Sequence, residues 1–211
     1  IALGHTRLSI LDPEPRSNQP FVKNGLVIVF NGEIYNYKAI RDSLSGFCEF
    51  ETASDTEVVL EAWRRWGTSC LENFRGMYAF AIHEFKSGKT WIVRDPFGIK
   101  PLFYYSASDG RVAFASELKA LEVVFRTEFE VDETAIAASL LFCWIPEDKC
   151  IWKQVRKLEP GCYLEIEPNR NPERSRYFHP DKLLGQETIT DLAQATSMLD
   201  DALYDSVKSH L

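Results

Sequence analysis

The chain has 211 residues, of which 45% are hydrophobic and 26% charged, and its formal net charge at pH 7 is −7. A chain of this length can bury one sizeable core, and no apolar run approaches the length of a membrane span. The acidic balance argues against a nucleic-acid surface, for which a basic patch would be expected. We therefore expect a soluble domain with neither a membrane nor a nucleic-acid partner.

Cysteine usage and the first residues bear on compartment and completeness. The five cysteines are an odd number at irregular spacings, which fits reduced thiols in the cytoplasm better than a disulfide framework or a zinc site. The chain opens inside a strand-like segment and without a start methionine, so we expect a fragment of a longer protein. The lack of a visible signal peptide therefore says little about the compartment of the protein.

In chain order, alternating apolar residues and short turns predict antiparallel strands mixed with amphipathic helices. Strands are expected over residues 3–11, 26–31, 77–85, 90–95, 102–106 and 111–116. Helices are expected over residues 37–44, 55–66, 117–123 and 131–142. The apolar stripe of the second helix is interpreted as core: Val58, Val59, Ala62, Trp63 and Trp66. Hairpins with helices on their faces predict an α+β fold of stacked antiparallel sheets.

The character of the chain changes from about residue 152. Residues 155–166 predict one more hairpin, and residues 167–186 are rich in proline, asparagine and charge, as linkers are. A final helix then carries an apolar stripe with nothing obvious to bury it: Leu192, Ala195, Leu199, Leu203, Val207 and Leu211. We expect a main domain over residues 1–166, a linker over 167–190 and a separate helix over 191–211.

The most informative segment is FNGEIYNY, which begins at Phe30 after an apolar run. The Asn31 side-chain amide and the Gly32 backbone N–H could both donate to an oxyanion, which suggests acyl-transfer chemistry. The competing interpretation is a hairpin or a strand-to-helix turn, because Asn-Gly is a strong turn signal. No Gly-x-Ser-x-Gly elbow occurs and the four histidines are far apart, so no nucleophile–base pair is evident. The segment alone leaves both interpretations open.

Seven motifs in a fixed order carry a family resemblance. They are GHTRLSIL from Gly4, NQPF from Asn18, FNGEIYNY from Phe30, SDTEVVLEAWRRWG from Ser54, FRGMYAFAI from Phe74, RDPFGIKPLFYY from Arg94 and FASELKAL from Phe114. Together they resemble the glutamine amidotransferase domain of glutamine-hydrolysing asparagine synthetases, whose nucleophile is an N-terminal cysteine. The resemblance implies the four-layer αββα sandwich of two antiparallel sheets found in N-terminal nucleophile hydrolases.

The resemblance also implies where the nucleophile lies. In this family the α-amino group of the first cysteine is its own general base, which accounts for the missing histidine partner. That cysteine would lie upstream of Ile1, and none of the five cysteines in the chain has a free amine to replace it. We therefore expect these residues alone to be inactive as a glutaminase.

Glutamine carries a carboxylate, an ammonium and a carboxamide, so its pocket needs a cation, an anion and an oxyanion hole. The resemblance assigns Arg7 to the carboxylate, which a guanidinium fork fits, and Asp55 to the ammonium. The residues alone also allow Asp55 to cap the helix that begins there. The resemblance makes Asn31 and Gly32 the catalytic oxyanion hole. Further pocket contacts are implied for Glu33 and for the backbone of Leu8, Ser9, Ile10 and Leu11.

Two other motifs have less direct roles. The segment RDPFGIKP could mimic a phosphate loop, but it lacks the spacing of such a loop and its two prolines remove N–H donors, so it predicts a rigid turn. The segment FASE ends a strand and is expected to cap the following short helix. By the resemblance, the first segment supports the glutaminase core close to a second domain, and the second segment lies near the path between the two active sites.

The expected function is a glutaminase domain that supplies ammonia for ATP-dependent asparagine synthesis from aspartate. No cofactor or metal is expected within these residues. ATP and magnesium are implied for an ATP-dependent domain that would begin with the final helix and whose pyrophosphate-binding loop does not occur here. Glutamine would bind in this domain, and aspartate and ATP in the other. A homodimer is left open.

Other functions are compatible with the same motifs. Glucosamine-6-phosphate synthase and phosphoribosylpyrophosphate amidotransferase would use similar pocket residues, although NGEIYNY and LEPGCYLEI followed by RYF favour the synthetase type. A synthetase-like enzyme could act on another carboxylate, as in a β-lactam synthetase or a polysaccharide-modifying amidotransferase. A non-catalytic glutamine-binding or interaction module is the alternative from a different class.

Overall fold

The computed structural model describes residues 1–8, 10–146, 149–183 and 188–210. Within these ranges the strands form two antiparallel sheets, one with six strands and one with three. The strands are β1 (Phe21–Lys23), β2 (Leu26–Ile34), β3 (Gly76–Glu84), β4 (Thr90–Arg94), β5 (Phe103–Ser106), β6 (Val112–Ala115), β7 (Val155–Lys157), β8 (Cys162–Ile166) and β9 (Glu173–Arg176). Their orders are β1-β2-β3-β4-β8-β9 in the larger sheet and β6-β5-β7 in the smaller one.

The described residues contain five α-helices. They are α1 (Tyr37–Ser43), α2 (Asp55–Trp66), α3 (Leu118–Phe125), α4 (Glu133–Phe142) and α5 (Leu192–Ser209). Of these, α1 and α2 pack on the larger sheet and α3 on the smaller one. Short 3-10 segments lie at Pro15–Ser17, Gly67–Asn73, Arg126–Glu128 and Pro180–Leu183. In the part of the chain that the structure describes, no helix combines the length and the apolar character that crossing a membrane requires.

Alternation along β2 builds two of the apolar layers. Ile28 and Phe30 pack in one core with residues of α2, including Val58 and Trp63. Val29, between them, faces the opposite side and packs with residues from beside and within the smaller sheet, including Leu102 and Phe114.

A third apolar cluster covers the outer face of the smaller sheet. There Tyr105 of β5 packs with Leu121 and Phe125 of α3. The layers are therefore helix, sheet, sheet and helix, so the predicted α+β sandwich of two antiparallel sheets is confirmed. The stripe of α2 lies in the core, as predicted, and all five cysteines are free.

The structure corrects three local predictions. The described residues of the segment 3–11 form no strand, because the Arg7 guanidinium bonds the carbonyls of Leu11 and Asp12 and curls the segment into a loop. Strand β2 runs through Asn31 and Gly32 to Ile34, so the turn interpretation of Asn-Gly is wrong. The expected hairpin over residues 155–166 is also wrong, because β7 pairs with β5 whereas β8 pairs with β4.

The C-terminal third contains one more unexpected element. Strand β9 lies inside the segment predicted as a linker and pairs with β8, with Cys162 opposite Arg176. Beyond it, α5 begins within one residue of the predicted helix, and the described members of its apolar stripe are exposed except for the half-buried Ala195. Leu211, the last residue of the predicted stripe, lies outside the described residues.

Candidate active site

The predicted site residues meet at a cleft of about 680 Å³ beside the ends of both sheets. The N-terminal loop, β2, the first turn of α2 and the segment after β6 each contribute to its lining. Of the predicted residues it contains Arg7, Leu8, Ile10, Leu11, Asn31, Gly32, Glu33 and Asp55. Ser9 lies outside the described residues.

Asn31 and Gly32 occupy the exit of β2 in the β2–β3 ladder, opposite Ala79 and Tyr78. The Asn31 Nδ2 atom donates a long hydrogen bond of 3.4 Å to the Ser116 hydroxyl, which turns the amide toward the cleft segment after β6. A Cβ atom at Gly32 would lie 2.3 Å from the Met77 carbonyl oxygen, so only glycine permits this close approach of the two strands. The pair is thus held by regular sheet rather than by a flexible turn.

Arg7 is fixed by its own loop. Its Nη2 atom donates to the carbonyl oxygens of Leu11 at 2.5 Å and Asp12 at 2.9 Å. Its Nη1 atom is buried and has no hydrogen-bond partner among the described residues. An unpaired buried guanidinium nitrogen is costly, and an anionic ligand would satisfy it. The loop therefore fixes the orientation of Arg7 and leaves this nitrogen available to an anionic group.

The loop of Arg7 is also tied to the segment before α2. The Asp12 carboxylate accepts a hydrogen bond of 2.7 Å from the Ala53 N–H and forms an ion pair of 3.1 Å with Arg16. Since Ala53 lies two residues before Asp55, this hydrogen bond links the loop that holds Arg7 to the segment that leads into Asp55.

Asp55 is the first residue of α2, and Ser54 takes the cap position. The Ser54 hydroxyl accepts from the Thr56 N–H at 3.2 Å, whereas the Asp55 carboxylate accepts from the Ile34 N–H at 3.1 Å. Burial raises the pKa of Asp55 to about 6, assisted by the negative charge of Glu33 and opposed by hydrogen bonds from the backbone of Ile34 and Thr56. The side chain therefore bridges the helix to β2 instead of serving as the N-cap.

Leu8, Ile10 and Leu11 all line the cleft. The side chains of Leu8 and Ile10 are 83% and 74% exposed, so they point largely to solvent. The expectation that this loop offers backbone groups to a ligand stays a prediction. Glu33 is half-buried and lines the same cleft, where it adds a second carboxylate to that of Asp55.

Sequence reasoning missed several residues of the cleft. Gln19 and His5 lie in its wall, and Lys100 and Ser116 reach it from distant parts of the chain. Burial, together with the nearby charge of Arg7, lowers the pKa of His5, which favours a neutral imidazole at pH 7. The available signal was that all four residues fall inside family motifs, since their proximity arises from non-local contacts.

The RDPFGIKP segment is the predicted rigid turn. The buried Asp95 carboxylate accepts hydrogen bonds from the backbone N–H groups of Phe97, Ile99 and Lys100 at 2.9–3.0 Å. The Arg94 guanidinium donates to the carbonyls of Gly98 and Lys100 at 2.8 Å. Because the N–H groups of this turn already have an internal carboxylate acceptor, it does not form a phosphate cradle.

The chain is similar to several known proteins. The chain is 37% identical over 215 residues to asparagine synthetase [glutamine-hydrolyzing] 1 of Bacillus subtilis, which covers all of this chain and 33% of that protein. It is 34% identical over 188 residues to the amidase chyE of Penicillium rubens, covering 87% of this chain and 27% of that protein. The chain thus spans about a third of the length of the curated relatives it matches.

A solved structure shows the same fold. A glutamine phosphoribosylpyrophosphate amidotransferase from B. subtilis superposes with a TM-score of 0.59 at 24% identity, over 82% of this chain and 34% of that one. A model of the glutamine amidotransferase domain matches residues 1–178. That match covers most of the chain and all of the cleft residues. The chain therefore belongs to the glutamine amidotransferase domain family.

Proposed function

We propose that this domain binds glutamine and provides the glutaminase site of a longer enzyme. One observation carries the proposal: a guanidinium with a buried nitrogen that has no hydrogen-bond partner among the described residues, two carboxylates and the Asn31–Gly32 pair line a single cleft. A free α-amino acid whose side chain ends in a carboxamide matches this set of groups. Family membership supports the same ligand.

The roles follow from the chemistry of each group. Arg7 pairs with the α-carboxylate of glutamine, and Asp55 with Glu33 beside it holds the α-ammonium. The side-chain carbonyl then points to Asn31 and Gly32, which donate hydrogen bonds to the oxyanion of the tetrahedral intermediate. Glutamine and water are converted to glutamate and ammonia. Asp55 must be ionised to perform its role.

The nucleophile is proposed to come from outside residues 1–211. Within the described ranges no cysteine lines the cleft. Burial also raises the pKa of the Cys70, Cys150 and Cys162 thiols, so these side chains are poor nucleophiles. An upstream cysteine with a free amine would supply both nucleophile and base, and these residues alone would then lack activity.

The ammonia acceptor is proposed to be aspartate activated by ATP, in a domain outside these residues. The support is the naming of the B. subtilis relative as a glutamine-hydrolysing asparagine synthetase. A different acceptor is the second candidate, since the Penicillium relative of similar identity is named an amidase and not an asparagine synthetase. The location proposed for the enzyme is the cytoplasm, because the five free cysteines fit a reducing compartment.

The test is glutamate release by the full-length protein, with and without aspartate and ATP. We expect glutamate from the full-length protein, asparagine when aspartate and ATP are present, and neither from residues 1–211 alone. Glutamate without asparagine would redirect the proposal to another acceptor. A full-length protein that releases no glutamate would refute the glutaminase and favour a binding module.

The same assay tests the site through Arg7. Arg7→Lys keeps the charge and removes the planar fork, so we expect KM for glutamine to rise about tenfold or more. Arg75→Lys is the matched control, because Arg75 is exposed and outside the cleft lining. Equal KM values for the two variants would exclude Arg7 from carboxylate binding.

A further inference from the structure

Gln19 of the NQPF motif makes an unusual set of hydrogen bonds. Its side-chain oxygen accepts from the Phe30 N–H at 2.5 Å, and its side-chain nitrogen donates to the Phe30 carbonyl at 3.1 Å. The carboxamide therefore satisfies both backbone polar groups of the residue directly before Asn31. It reaches them from eleven residues away in the chain.

Strand pairing explains why a side chain fills this position. Strand β1 pairs with β2 from Lys23–Leu26 to Phe21–Ile28, and the same register continued would place Gln19 opposite Phe30. The observed ladder stops short of that pair, because β1 begins only at Phe21 and the backbone of Gln19 does not pair with Phe30. The Gln19 carboxamide thus replaces a strand partner where β2 enters the candidate site.

The same carboxamide also touches the other half of the cleft. Its nitrogen lies 3.4 Å from the Thr56 hydroxyl, and Thr56 follows Asp55 in the first turn of α2. A carboxamide offers two donor hydrogens and an oxygen acceptor, and all three are engaged here. Gln19 therefore joins the strand that carries Asn31 and Gly32 to the helix turn that carries Asp55.

We propose that Gln19 is a positioning residue that fixes the spacing between the oxyanion donors and the ammonium-binding carboxylate. This inference rests on the proposed glutaminase function. The α-ammonium and the carboxamide of glutamine are separated by a fixed number of bonds. A site that binds both ends productively must hold its two halves at a matching distance, and misplacement by about 1 Å can cost about a hundredfold in rate.

A second carboxamide clamp in the same fold provides a control. Asn36 accepts from the Arg75 N–H and donates to the Asn73 carbonyl, both at 2.9 Å, so it also ties two backbone segments together. Asn36 is outside the cleft lining. It therefore separates the general effect of losing such a clamp from a specific effect on the site.

The experiment compares Gln19→Met with Asn36→Leu in the full-length protein. Both changes nearly preserve side-chain size, add no charge and remove the hydrogen bonds of the carboxamide. We expect similar losses in Tm, but only Gln19→Met should raise KM for glutamine and lower kcat/KM, by about ten- to a hundredfold. The KM is decisive, because partial unfolding lowers the amount of active enzyme without changing its KM.

A milder variant guards against a failure to fold. Thr56→Val removes only the contact between Gln19 and α2, and we expect a KM increase of severalfold with Tm nearly unchanged. Unchanged KM values in Gln19→Met and Thr56→Val, with an active wild type, would overturn the positioning role alone. A wild-type protein that releases no glutamate would instead refute the proposed function, and the inference would fall with it.

Discussion

At the scale of single residues, Asp55 shows that the candidate site is maintained at a cost in stability. Its carboxylate is buried, and its pKa rises from 3.8 to about 6. That rise corresponds to about 3 kcal/mol of penalty for the ionised form in the folded protein. The favourable contribution of the protonated group is complete below pH 3.8 and is lost as pH rises through about 6. A bound ammonium would offset the penalty.

The pH dependence of glutamine binding follows from this shift. Since the ammonium of glutamine pairs with ionised Asp55, KM should rise as pH falls below about 6, approaching tenfold per pH unit. Steady-state glutamate release between pH 5 and 8 measures it. Asp55→Asn should have a high KM that varies little over this range, and its unfolding free energy at pH 7 should be higher by up to about 3 kcal/mol. A wild-type KM independent of pH would contradict the assigned role.

The sequence predicted the residues that would contact a ligand better than the residues that hold them in place. The family resemblance assigned Arg7, Asn31 and Asp55 to one pocket, and the structure brings them to one cleft. Gln19 and Ser116 were not predicted, although they hydrogen-bond to Phe30 and Asn31. The partners of Ser116 and Gln19 are 85 and 11 residues distant in the chain, and no local pattern encodes such a contact.

At the scale of elements, the β2–β3 pair is the frame of the site. Its nine-residue ladder runs from Leu26–Glu84 to Ile34–Gly76 and carries Asn31 and Gly32 near one end. The strands approach so closely there that a Cβ at Gly76 would lie 2.1 Å from the Glu33 carbonyl oxygen. Glycines at this end therefore set the strand separation on which the position of the oxyanion donors depends.

Gly76→Ala tests this close approach. The added methyl group must push the strands apart, and overpacking of this kind costs up to about 3 kcal/mol. We expect a loss of that size in the free energy of urea unfolding. Gly4→Ala is the control, because a Cβ at Gly4 meets nothing within 4 Å among the described residues. Equal denaturation midpoints for the two variants would show that the strands can adjust without cost.

Local sequence patterns correctly predicted the helices and strands that depend mainly on neighbouring residues. The 3.6-residue stripe gave α2 with its observed ends, and alternation gave β3 to within one residue. The loop of Arg7 escaped prediction because side-chain hydrogen bonds to its own backbone override an alternating pattern. The placement of β7 and β8 in different sheets was also not predicted, since tertiary packing decides which strands pair.

At the scale of the whole molecule, the sandwich and the last helix contribute unequally to stability. Strand β9 extends the larger sheet. The hydroxyl of Tyr177, just after this strand, donates a hydrogen bond of 2.7 Å to the Arg94 carbonyl oxygen and lies 3.0 Å from the Tyr78 hydroxyl. In contrast, the described residues of α5 are almost all exposed. At its C-terminal end, the His210 ring packs against the Tyr35 ring of the sandwich. Stabilisation by apolar burial scales with the area removed from water.

Two truncations separate these contributions. Ending the chain after residue 183 removes α5, and we expect Tm to change by no more than about 2 °C, because little apolar area is lost from the core. Ending it after residue 171 also removes β9 and Tyr177, which should lower Tm by several times that amount, since a ladder and a buried hydroxyl pair are lost. Thermal unfolding followed by circular dichroism measures both. If loss of α5 alone lowered Tm as much as the longer truncation, the helix would have to pack on the sandwich in solution, and its exposed stripe would be partly covered within these 211 residues.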